Sequence, residues 1–200
     1  MILEGSFYSR ATVQVASDLI GCLLVRTLDL DGKRQRLAGV IVETEAYGHA
    51  DDPASHACRG MTRRNEAMFG RVGRSYVYFT YGSHHCLNVS ARSPEAAAGA
   101  VLIRGIEPLE GVEEMNRFRQ VGDMRLLASG PGRLTQAMQI TLDHNGVDMT
   151  DPRSGLCILG GSKRSVAATA RIGITKAAER PWRFVDPQSP FLSRKARSYS

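Results

Sequence analysis

Several features that would assign this chain to other classes of protein are missing from its sequence. No apolar run reaches the roughly 18 residues that a membrane-crossing helix needs, so we expect no membrane association. The first residues lack the charged-then-apolar pattern of a secretory signal. The four cysteines, Cys22, Cys58, Cys86 and Cys157, form no C-x-x-C pair and no histidine spacing typical of a closed zinc site. We therefore expect free thiols, no bound metal and a cytoplasmic location.

Lysine is also scarce, since only Lys33, Lys163, Lys176 and Lys195 occur among 26 basic side chains. Arginine therefore carries most of the formal net charge of +6, which permits binding to a polyanion without demonstrating it. Two hundred residues with 42% hydrophobic content can bury one core, and no low-complexity linker divides them. We predict a single domain over residues 1–200 whose end, from about residue 187, is flexible.

Short apolar segments separated by turn residues predict an α+β fold with a mixed, mostly antiparallel sheet and flanking helices. Asp31-Gly32 lies between two apolar runs and predicts a β-hairpin. The apolar spacing of residues 11–20 predicts a short helix. A second helix is predicted over residues 108–119, because a proline begins the stretch and glutamates follow early in it.

Residues 41–56 concentrate the side chains that carry chemistry. An apolar lead-in brings Glu43 and Glu45 to the end of a predicted strand, after which Tyr47 and then His56 follow. Because side chains alternate along a strand, Glu43, Glu45 and Tyr47 share one face. An acid, an aromatic ring and an imidazole are thus expected together. Solubilising surface carboxylates and an ordinary surface histidine are the alternative interpretation.

A basic loop follows, with five arginines between residues 59 and 74: Arg59, Arg63, Arg64, Arg71 and Arg74. Guanidinium groups fit phosphate oxygens in a bidentate manner, so this loop is a candidate for phosphate contacts. An ordinary solvated charged loop is the alternative.

Residues 74–81 are aromatic and favour a strand, residues 81–84 provide a turn, and residues 85–90 return as the partner strand. A projecting hairpin with aromatic side chains near its tip suits a wedge between stacked bases. Core packing could explain any single tyrosine. Four of the six tyrosines, however, lie between Tyr47 and Tyr81, and a buried tyrosine must find a partner for its hydroxyl group.

The motif Val42-Glu43-Thr44-Glu45-Ala46-Tyr47, with a histidine nine residues beyond the tyrosine, resembles the active-site signature of the alkyladenine (3-methyladenine) DNA glycosylase family. The resemblance continues in the same order over most of the chain and fits the compact bacterial form. The further matching segments are Arg64-Asn65, Met68-Phe69, Tyr76-Val77-Tyr78, Tyr81-Gly82, Asn88, Val101-Leu102-Ile103-Arg104, Glu107-Pro108-Leu109-Glu110-Gly111, Ser129-Gly130-Pro131-Gly132 and Ala170-Arg171-Ile172-Gly173-Ile174.

This resemblance implies a monofunctional DNA glycosylase of base excision repair. Such an enzyme rotates a damaged purine, for example 3-methyladenine or hypoxanthine, out of duplex DNA. Water activated by a glutamate then hydrolyses the N-glycosidic bond and leaves an abasic site. The family's reaction uses no metal, no cofactor and no Schiff base with the sugar. The implied partner is double-stranded DNA that contains a damaged purine, and the implied state is a monomer associated with the bacterial nucleoid through DNA.

The resemblance also assigns roles to residues of the pocket. Glu45 is the implied general base, and Arg104 positions that carboxylate or the water. Tyr47 and His56 are expected on one side of the extruded base and Tyr78 on the other. The remaining implied pocket residues are Asn88, which resists the exocyclic amino group of guanine, and Leu102, which packs beside the base.

The implied DNA contacts lie on the hairpin and the basic loop. Tyr81 is expected to fill the gap that the extruded nucleotide leaves in the duplex. Its neighbours Ser83 and His84 depart from the bulkier residues of the family pattern, which bears on lesion range. The full set of implied DNA-binding residues is Tyr81, Gly82, Ser83, His84, Arg59, Arg63 and Arg64.

Two other functions compete with this interpretation. A glycoside hydrolase could use Glu43 and Glu45 as an acid and base pair, but neighbours on one strand face do not easily flank a sugar from opposite sides. A catalytically silent DNA-binding module could use the same arginines and tyrosines. Substitution of Glu45 separates the two functions. A glycosylase should lose base excision and keep lesion binding, whereas a binding module has no excision to lose.

Overall fold

The computed structural model describes residues 1–80 and 84–194. The predicted wedge residues Tyr81, Gly82 and Ser83 therefore lie outside the described residues. The helices of the described residues are α1 (Gly5–Tyr8), α2 (Thr12–Asp18), α3 (Glu66–Phe69), α4 (Val112–Arg119) and α5 (Pro131–Ala137), with 3₁₀ turns at Met124–Leu126, Leu142–His144 and Pro152–Ser154. The strands are β1 (Leu23–Leu30), β2 (Lys33–Tyr47), β3 (Ser75–Thr80), β4 (His84–Ser90), β5 (Ala100–Glu110), β6 (Leu156–Leu159), β7 (Ala167–Thr169) and β8 (Arg183–Val185).

These strands form one curled antiparallel sheet in the order β3-β4-β5-β2-β1-β6, and β8 joins β2 to β7. The helices flank this sheet, so the predicted α+β class is confirmed. The predicted hairpin at Asp31-Gly32 is also present, because Leu30 pairs with Lys33 and both turn residues have positive φ. None of the helices in the described part of the chain is long and apolar enough to span a membrane.

Strand β2 is the centre of the sheet. Its first half pairs with β1, and its end, Glu43 to Glu45, pairs with β5 on one edge and β8 on the other. Both glutamates are therefore held between two neighbouring strands. A strand anchored on both edges is a rigid support for a catalytic side chain.

The pairing of β2 with β5 contains an irregularity beside the glutamates. Glu43 pairs with Gly105 and the next residue, Thr44, pairs with Ile103, so Arg104 is an extra residue without a partner on β2. Such a β-bulge bends its strand and turns a side chain toward a new direction. The backbone carbonyl of Arg104 instead accepts a hydrogen bond from the Gly130 N–H at 2.8 Å.

The main core lies between the sheet and helices α2, α4 and α5, and its buried side chains include Leu24, Ile41, Ile103, Met115 and Leu134. A second, smaller cluster contains Ala57, Met68, Tyr76, Ala98 and Ala100. Tyr47 and Tyr78 pack against this second cluster and are only partly buried. Apolar packing thus continues up to an open, ring-lined surface.

The predicted helix over residues 108–119 begins later than expected. Pro108 pairs with Gly39 as part of β5, which continues to Glu110, and Gly111 with φ 69° then precedes α4. The proline lies near the end of the strand, where the loss of one N–H donor is tolerated. The early glutamates of the helix are Glu113 and Glu114.

Candidate active site

Residues in register across four strands bring distant parts of the sequence together. Glu45 of β2 lies opposite Leu102 of β5, and Leu102 lies opposite Asn88 of β4. Asn88 in turn lies opposite Tyr76 of β3. Directly opposite residues in antiparallel strands point to the same face. The sheet itself therefore aligns a carboxylate, an apolar side chain, an amide and a phenol on one face.

A pocket of about 280 Å³ opens on this face. This volume is slightly below the usual range for ligand pockets, so the pocket suits a small ligand. The lining includes Arg104 and the five residues predicted to contact the base, but not the predicted general base Glu45; those five are Tyr47, His56, Tyr78, Asn88 and Leu102. The lining residues are Tyr47, Ala54, His56, Met68, Tyr76, Tyr78, Cys86, Asn88, Leu102, Arg104, Pro131, Ile172, Gly173 and Ile174.

Glu45 is fully buried and is not itself a lining residue, but it contacts Tyr47 and Arg104, which line the pocket. Its Oε2 accepts hydrogen bonds from the Tyr47 hydroxyl at 2.8 Å and from Arg104 Nη1 at 3.2 Å. Its Oε1 accepts one from the Ile172 backbone N–H at 2.7 Å. Burial raises the pKa of Glu45 above the ordinary value, although Arg104 and the Ile172 N–H act against the increase.

Glu43 is equally buried but has a different environment. It accepts hydrogen bonds from Arg104 Nε at 3.1 Å and Arg183 Nε at 2.7 Å. The backbone N–H and hydroxyl of Ser193 donate to it at 2.6 and 2.7 Å. Burial alone would raise the pKa of Glu43, but the two guanidinium groups outweigh it and hold that pKa below the ordinary value. The two glutamates therefore differ in proton affinity although they share a strand face.

The aromatic side chains of the pocket contact one another. The rings of His56 and Tyr78 meet edge to face with centroids 4.7 Å apart, and those of Tyr76 and Tyr78 lie 5.2 Å apart. His56 Nδ1 is 2.9 Å from the Tyr76 hydroxyl. Burial, and to a lesser degree the charge of Arg64, lowers the pKa of His56, so the imidazole is neutral at neutral pH.

Tyr47 is supported from behind by charged and aromatic groups. The Arg171 guanidinium lies 4.8 Å from the centre of the Tyr47 ring and 5.2 Å from that of Trp182. Asp52 binds Arg171 through two hydrogen bonds of 2.7 Å, and both side chains are completely buried. Burial raises the pKa of the Tyr47 hydroxyl, so this group stays protonated and continues to donate to Glu45.

The floor of the pocket is formed by Asn88 and Leu102, which are 3% exposed each. The side-chain amide of Asn88 donates to the Tyr76 carbonyl at 2.9 Å, which fixes its orientation. One N–H and the carbonyl oxygen of that amide thus remain for a ligand.

The predicted DNA-binding arginines differ in their surroundings. Arg59, Arg63 and Arg64 are all exposed, and Arg64 also lies over the Tyr78 ring at 5.4 Å and donates to the Phe79 carbonyl. Two further arginines of the loop lie near an acid, because Arg71 and Arg74 are 3.7 and 3.8 Å from Asp148, and their side chains are 69% and 40% exposed. The charge of the loop is therefore partly neutralised by Asp148.

Of the predicted hairpin residues, His84 lies within the described part of the chain. It is exposed, and its Nδ1 is 3.1 Å from the side-chain nitrogen of Gln136. It also packs closely on Gly132 at the start of α5, where any side chain on Gly132 would clash with it.

The structure adds residues to which sequence reasoning assigned no role. Tyr76, Met68 and Cys86 line the pocket, and Ile172 supplies a backbone donor to Glu45. Most of them lie in segments that carried the family resemblance, so the signal was present. The contact from Ser193 had no such signal, because the sequence does not show that the C-terminal segment returns to Glu43.

A protein metal site needs several histidine, cysteine, aspartate or glutamate side chains close together. Within residues 1–80 and 84–194, no group of three or more histidine, cysteine, aspartate or glutamate side chains is arranged to hold a metal ion. Glu45 and Glu43 are instead paired with guanidinium groups.

The fold places a buried carboxylate, Glu45, against a guanidinium, Arg104, that lines a pocket of aromatic rings, and this arrangement is typical of an enzyme active site. The methylpurine-DNA glycosylase (MPG) family model matches residues 6–190, and the chain belongs to this family. It is therefore assigned to the DNA glycosylases, hydrolases that act on N-glycosyl bonds. The sequence-based prediction of this family is confirmed.

Relatives with the provisional name 3-methyladenine DNA glycosylase occur in several organisms. One from Koribacter versatilis is 47% identical over 198 residues, which cover 96% of this chain and 93% of the relative. Others from Methanoculleus marisnigri and Carboxydothermus hydrogenoformans are 45% and 44% identical, and each alignment covers 98% of this chain and 100% of the relative.

Proposed function

We propose that this protein is a monofunctional DNA glycosylase of base excision repair. It takes an alkylated or deaminated purine, such as 3-methyladenine or hypoxanthine, out of duplex DNA and hydrolyses the N-glycosidic bond. The observation that carries this proposal is the buried Glu45 carboxylate, which accepts hydrogen bonds from Tyr47 and Arg104, two residues that line a pocket of aromatic rings. The protein acts as a monomer on damaged double-stranded DNA in the bacterial cytoplasm, where DNA keeps it at the nucleoid.

Glu45 is proposed as the general base. A carboxylate has about four acceptor positions, and Tyr47, Arg104 and Ile172 occupy three of them. The remaining position can hold the attacking water. A raised pKa makes Glu45 a stronger base than an exposed glutamate, and its negative charge stabilises the oxocarbenium character of the sugar as the base leaves.

The base is proposed to lie between Tyr47 and Tyr78. A ring inserted between two others needs about 6.8 Å, twice the 3.4 Å stacking distance of bases. His56 lies only 4.7 Å from Tyr78, so it must move aside from that ring when the base enters. Asn88 and Leu102 contact the edge of the base, and the amide of Asn88 opposes the exocyclic amino group of an undamaged guanine.

Duplex recognition is proposed to use the hairpin and the exposed arginines. Tyr81 is proposed to occupy the gap in the base stack, with Gly82, Ser83 and His84 beside it. Arg59, Arg63 and Arg64 are proposed to contact phosphates. Extrusion costs about a few kcal/mol, which these contacts and the pocket must offset.

Incubation with duplexes that each carry one defined lesion tests the function directly. We expect free base and an alkali-labile site for 3-methyladenine or hypoxanthine, because Glu45 can activate water and no lysine is among the described residues that line the pocket. The measurements are chromatography of the released base and strand integrity before and after alkali. Strand cleavage without alkali would overturn the monofunctional assignment, and a binding module would release no base at all.

The arginine assignment predicts a distinct salt response. Arg63→Ala is expected to reduce the slope of log affinity against log salt by about 1, since one phosphate contact and its released counterions are lost. Arg74→Ala is the matched control, because Arg74 binds the Gly146 carbonyl at 2.8 Å and lies near Asp148. Binding to an undamaged duplex is titrated at several salt concentrations. Equal slopes for wild type and Arg63→Ala would remove Arg63 from the DNA interface.

A further inference from the structure

The side chain of Arg104 is oriented by contacts with residues outside its own strand, β5. As the extra residue of a β-bulge it has no partner on β2, and its guanidinium bridges the two glutamates. Arg104 Nε contacts Glu43 and Nη1 contacts Glu45. The orientation of the Arg104 guanidinium, and hence the position of the Glu45 carboxylate, therefore depends on Glu43.

Glu43 is fixed from three parts of the chain other than its own strand. Arg104 comes from β5, Arg183 from β8, and Ser193 from the C-terminal segment after residue 189. The last contact is doubled, because both the N–H and the hydroxyl of Ser193 donate to Glu43. Arg183 also donates to the Arg194 carbonyl at 2.6 Å, which holds the C-terminal segment in place.

Glu43 itself is not placed to react. Its donors are Arg104 Nε, Arg183 Nε and the Ser193 hydroxyl on Oε1, and the Ser193 N–H on Oε2. Of these residues only Arg104 lines the pocket, whereas all three donors of Glu45 belong to lining residues, namely Tyr47, Arg104 and Ile172. Glu43 therefore contacts the pocket only through Arg104.

We propose that Glu43 and Ser193 are positioning residues that hold Arg104, and through it the Glu45 carboxylate, in the geometry required for base excision. This inference rests on the proposed function. It also gives the C-terminal segment, through Ser193, a part in the chemistry of a site formed mainly by residues 45–104.

The charges around Glu45 give this arrangement a measurable signature. Two carboxylates, Glu43 and Glu45, face two guanidinium groups, Arg104 and Arg183. When Glu43 loses its charge, Glu45 is left with an excess of positive neighbours and its pKa falls. The ionisable groups that face Glu45 are Glu43 and Tyr47 on β2, Tyr78 on β3, Cys86 on β4, Arg104 on β5 and Arg171 before Ile172.

Single-turnover excision from a hypoxanthine duplex, measured across pH with wild type, Glu43→Gln, Glu43→Asp and Ser193→Ala, tests the inference. Glu43→Gln is expected to lower the rate about a hundredfold, because a displacement of a catalytic group by about 1 Å can have that effect. It is also expected to move the acidic limb of the pH–rate profile, where the rate increases as Glu45 ionises, to lower pH. Glu43→Asp keeps the charge, so its limb stays at the wild-type pH while the shorter side chain lowers the rate less. Ser193→Ala removes the hydrogen bond that the hydroxyl donates to Glu43 and the one that it accepts from Arg104 Nη2 at 3.4 Å, so the rate is expected to fall at least about fivefold, which is the effect of losing one such bond.

Glu107→Gln is the matched control for the ion pair. Arg164 bridges Glu107 and Asp186 at 2.8 and 2.9 Å, as Arg104 bridges Glu43 and Glu45, but it does so outside the pocket. Ser154→Ala is the control for the loss of a serine hydroxyl, since Ser154 donates to the Leu156 carbonyl. Both controls are expected to keep the wild-type rate and pH profile.

The outcomes separate the inference from the proposed function. No release of base by wild type would refute the function itself. If wild type releases the base and Glu43→Gln only yields less folded protein, its rate per active site and its pH profile will match those of wild type. That result would show that Glu43 has a merely structural role and would overturn the inference. If Glu43→Gln does not fold, a wild-type rate per active site in both Glu43→Asp and Ser193→Ala overturns the inference.

Discussion

Glu45→Gln is expected to lower the single-turnover rate of base release by about three orders of magnitude. Glutamine nearly matches the shape of glutamate but cannot accept the proton of the attacking water, and it lacks the charge that stabilises an oxocarbenium ion. General base catalysis alone contributes about 10²- to 10⁴-fold, and electrostatic stabilisation adds to that. The rate is measured with enzyme in excess over a duplex containing one hypoxanthine.

Binding of the damaged duplex should survive this substitution. Glu45 lies behind Tyr47 and is 0% exposed, so the rings that receive the base are unchanged. Glu110→Gln is a suitable control, because Glu110 is an exposed partner of Arg36 at the far end of β5. An unchanged rate of release in Glu45→Gln would exclude Glu45 as the base, and no release by either protein would favour the silent binding module.

The pH dependence of excision offers a second measure on the same residue. Glu45 must be ionised to accept a proton, and burial raises its pKa against the opposing effect of Arg104. The rate should therefore increase with pH through a value above that of an ordinary glutamate, and this acidic limb should be absent in Glu45→Gln. A limb at or below the ordinary value would contradict the assigned environment.

Local sequence patterns were sufficient to place three side chains of the site together. Alternation along a strand placed Glu43, Glu45 and Tyr47 on one face, and the Tyr47 hydroxyl donates to Glu45 in the structure. The Asp31-Gly32 turn fixes the hairpin that brings β2 into the sheet. These features depend on neighbours in sequence, so periodicity and turn chemistry reveal them.

Features that depend on distant contacts could not be read in the same way. The bulge at Arg104 arises from the register of β2 with β5, which no local pattern specifies. Likewise the contact between Glu43 and Ser193 joins residues 150 positions apart. A polar, basic C-terminal segment predicts flexibility by composition, yet in this protein its Ser193 donates two hydrogen bonds to a buried charge.

The largest effect on stability is expected from Asp52→Asn. Asp52 and Arg171 are both 0% exposed and joined by two hydrogen bonds, so the substitution leaves a buried guanidinium without its countercharge. Breaking a buried pair in this way costs about 3–5 kcal/mol of unfolding free energy. Urea denaturation at neutral pH measures the loss. Asp51→Asn is the control, because its partner Arg180 is 3.4 Å away and Asp51 is 72% exposed, and such pairs contribute about 0–1 kcal/mol.

The sign of the pH effect follows from the same contacts. Burial raises the pKa of Asp52, but hydrogen bonds from Arg171 and the Gly48 N–H outweigh it, so the folded-state pKa lies below the ordinary value. The pair therefore stabilises the fold at pH values above the unfolded-state pKa of about 3.9, and this contribution is lost as the pH falls through the lower folded-state value. The difference between wild type and Asp52→Asn should accordingly shrink in acid. A difference that is constant with pH would show that charge pairing is not its origin.

The same substitution should also affect excision, because Arg171 connects the ion pair to the site. Its guanidinium packs on the Tyr47 ring, its Nη1 donates to the Ala46 carbonyl at 2.9 Å, and the next residue, Ile172, donates to Glu45. Loss of the Asp52 partner thus loosens two of the three groups that donate hydrogen bonds to Glu45, namely the Tyr47 hydroxyl and the Ile172 N–H. Asp52→Asn should lower the rate per folded molecule as well as stability, whereas a loss of stability alone would confine the pair to holding the fold.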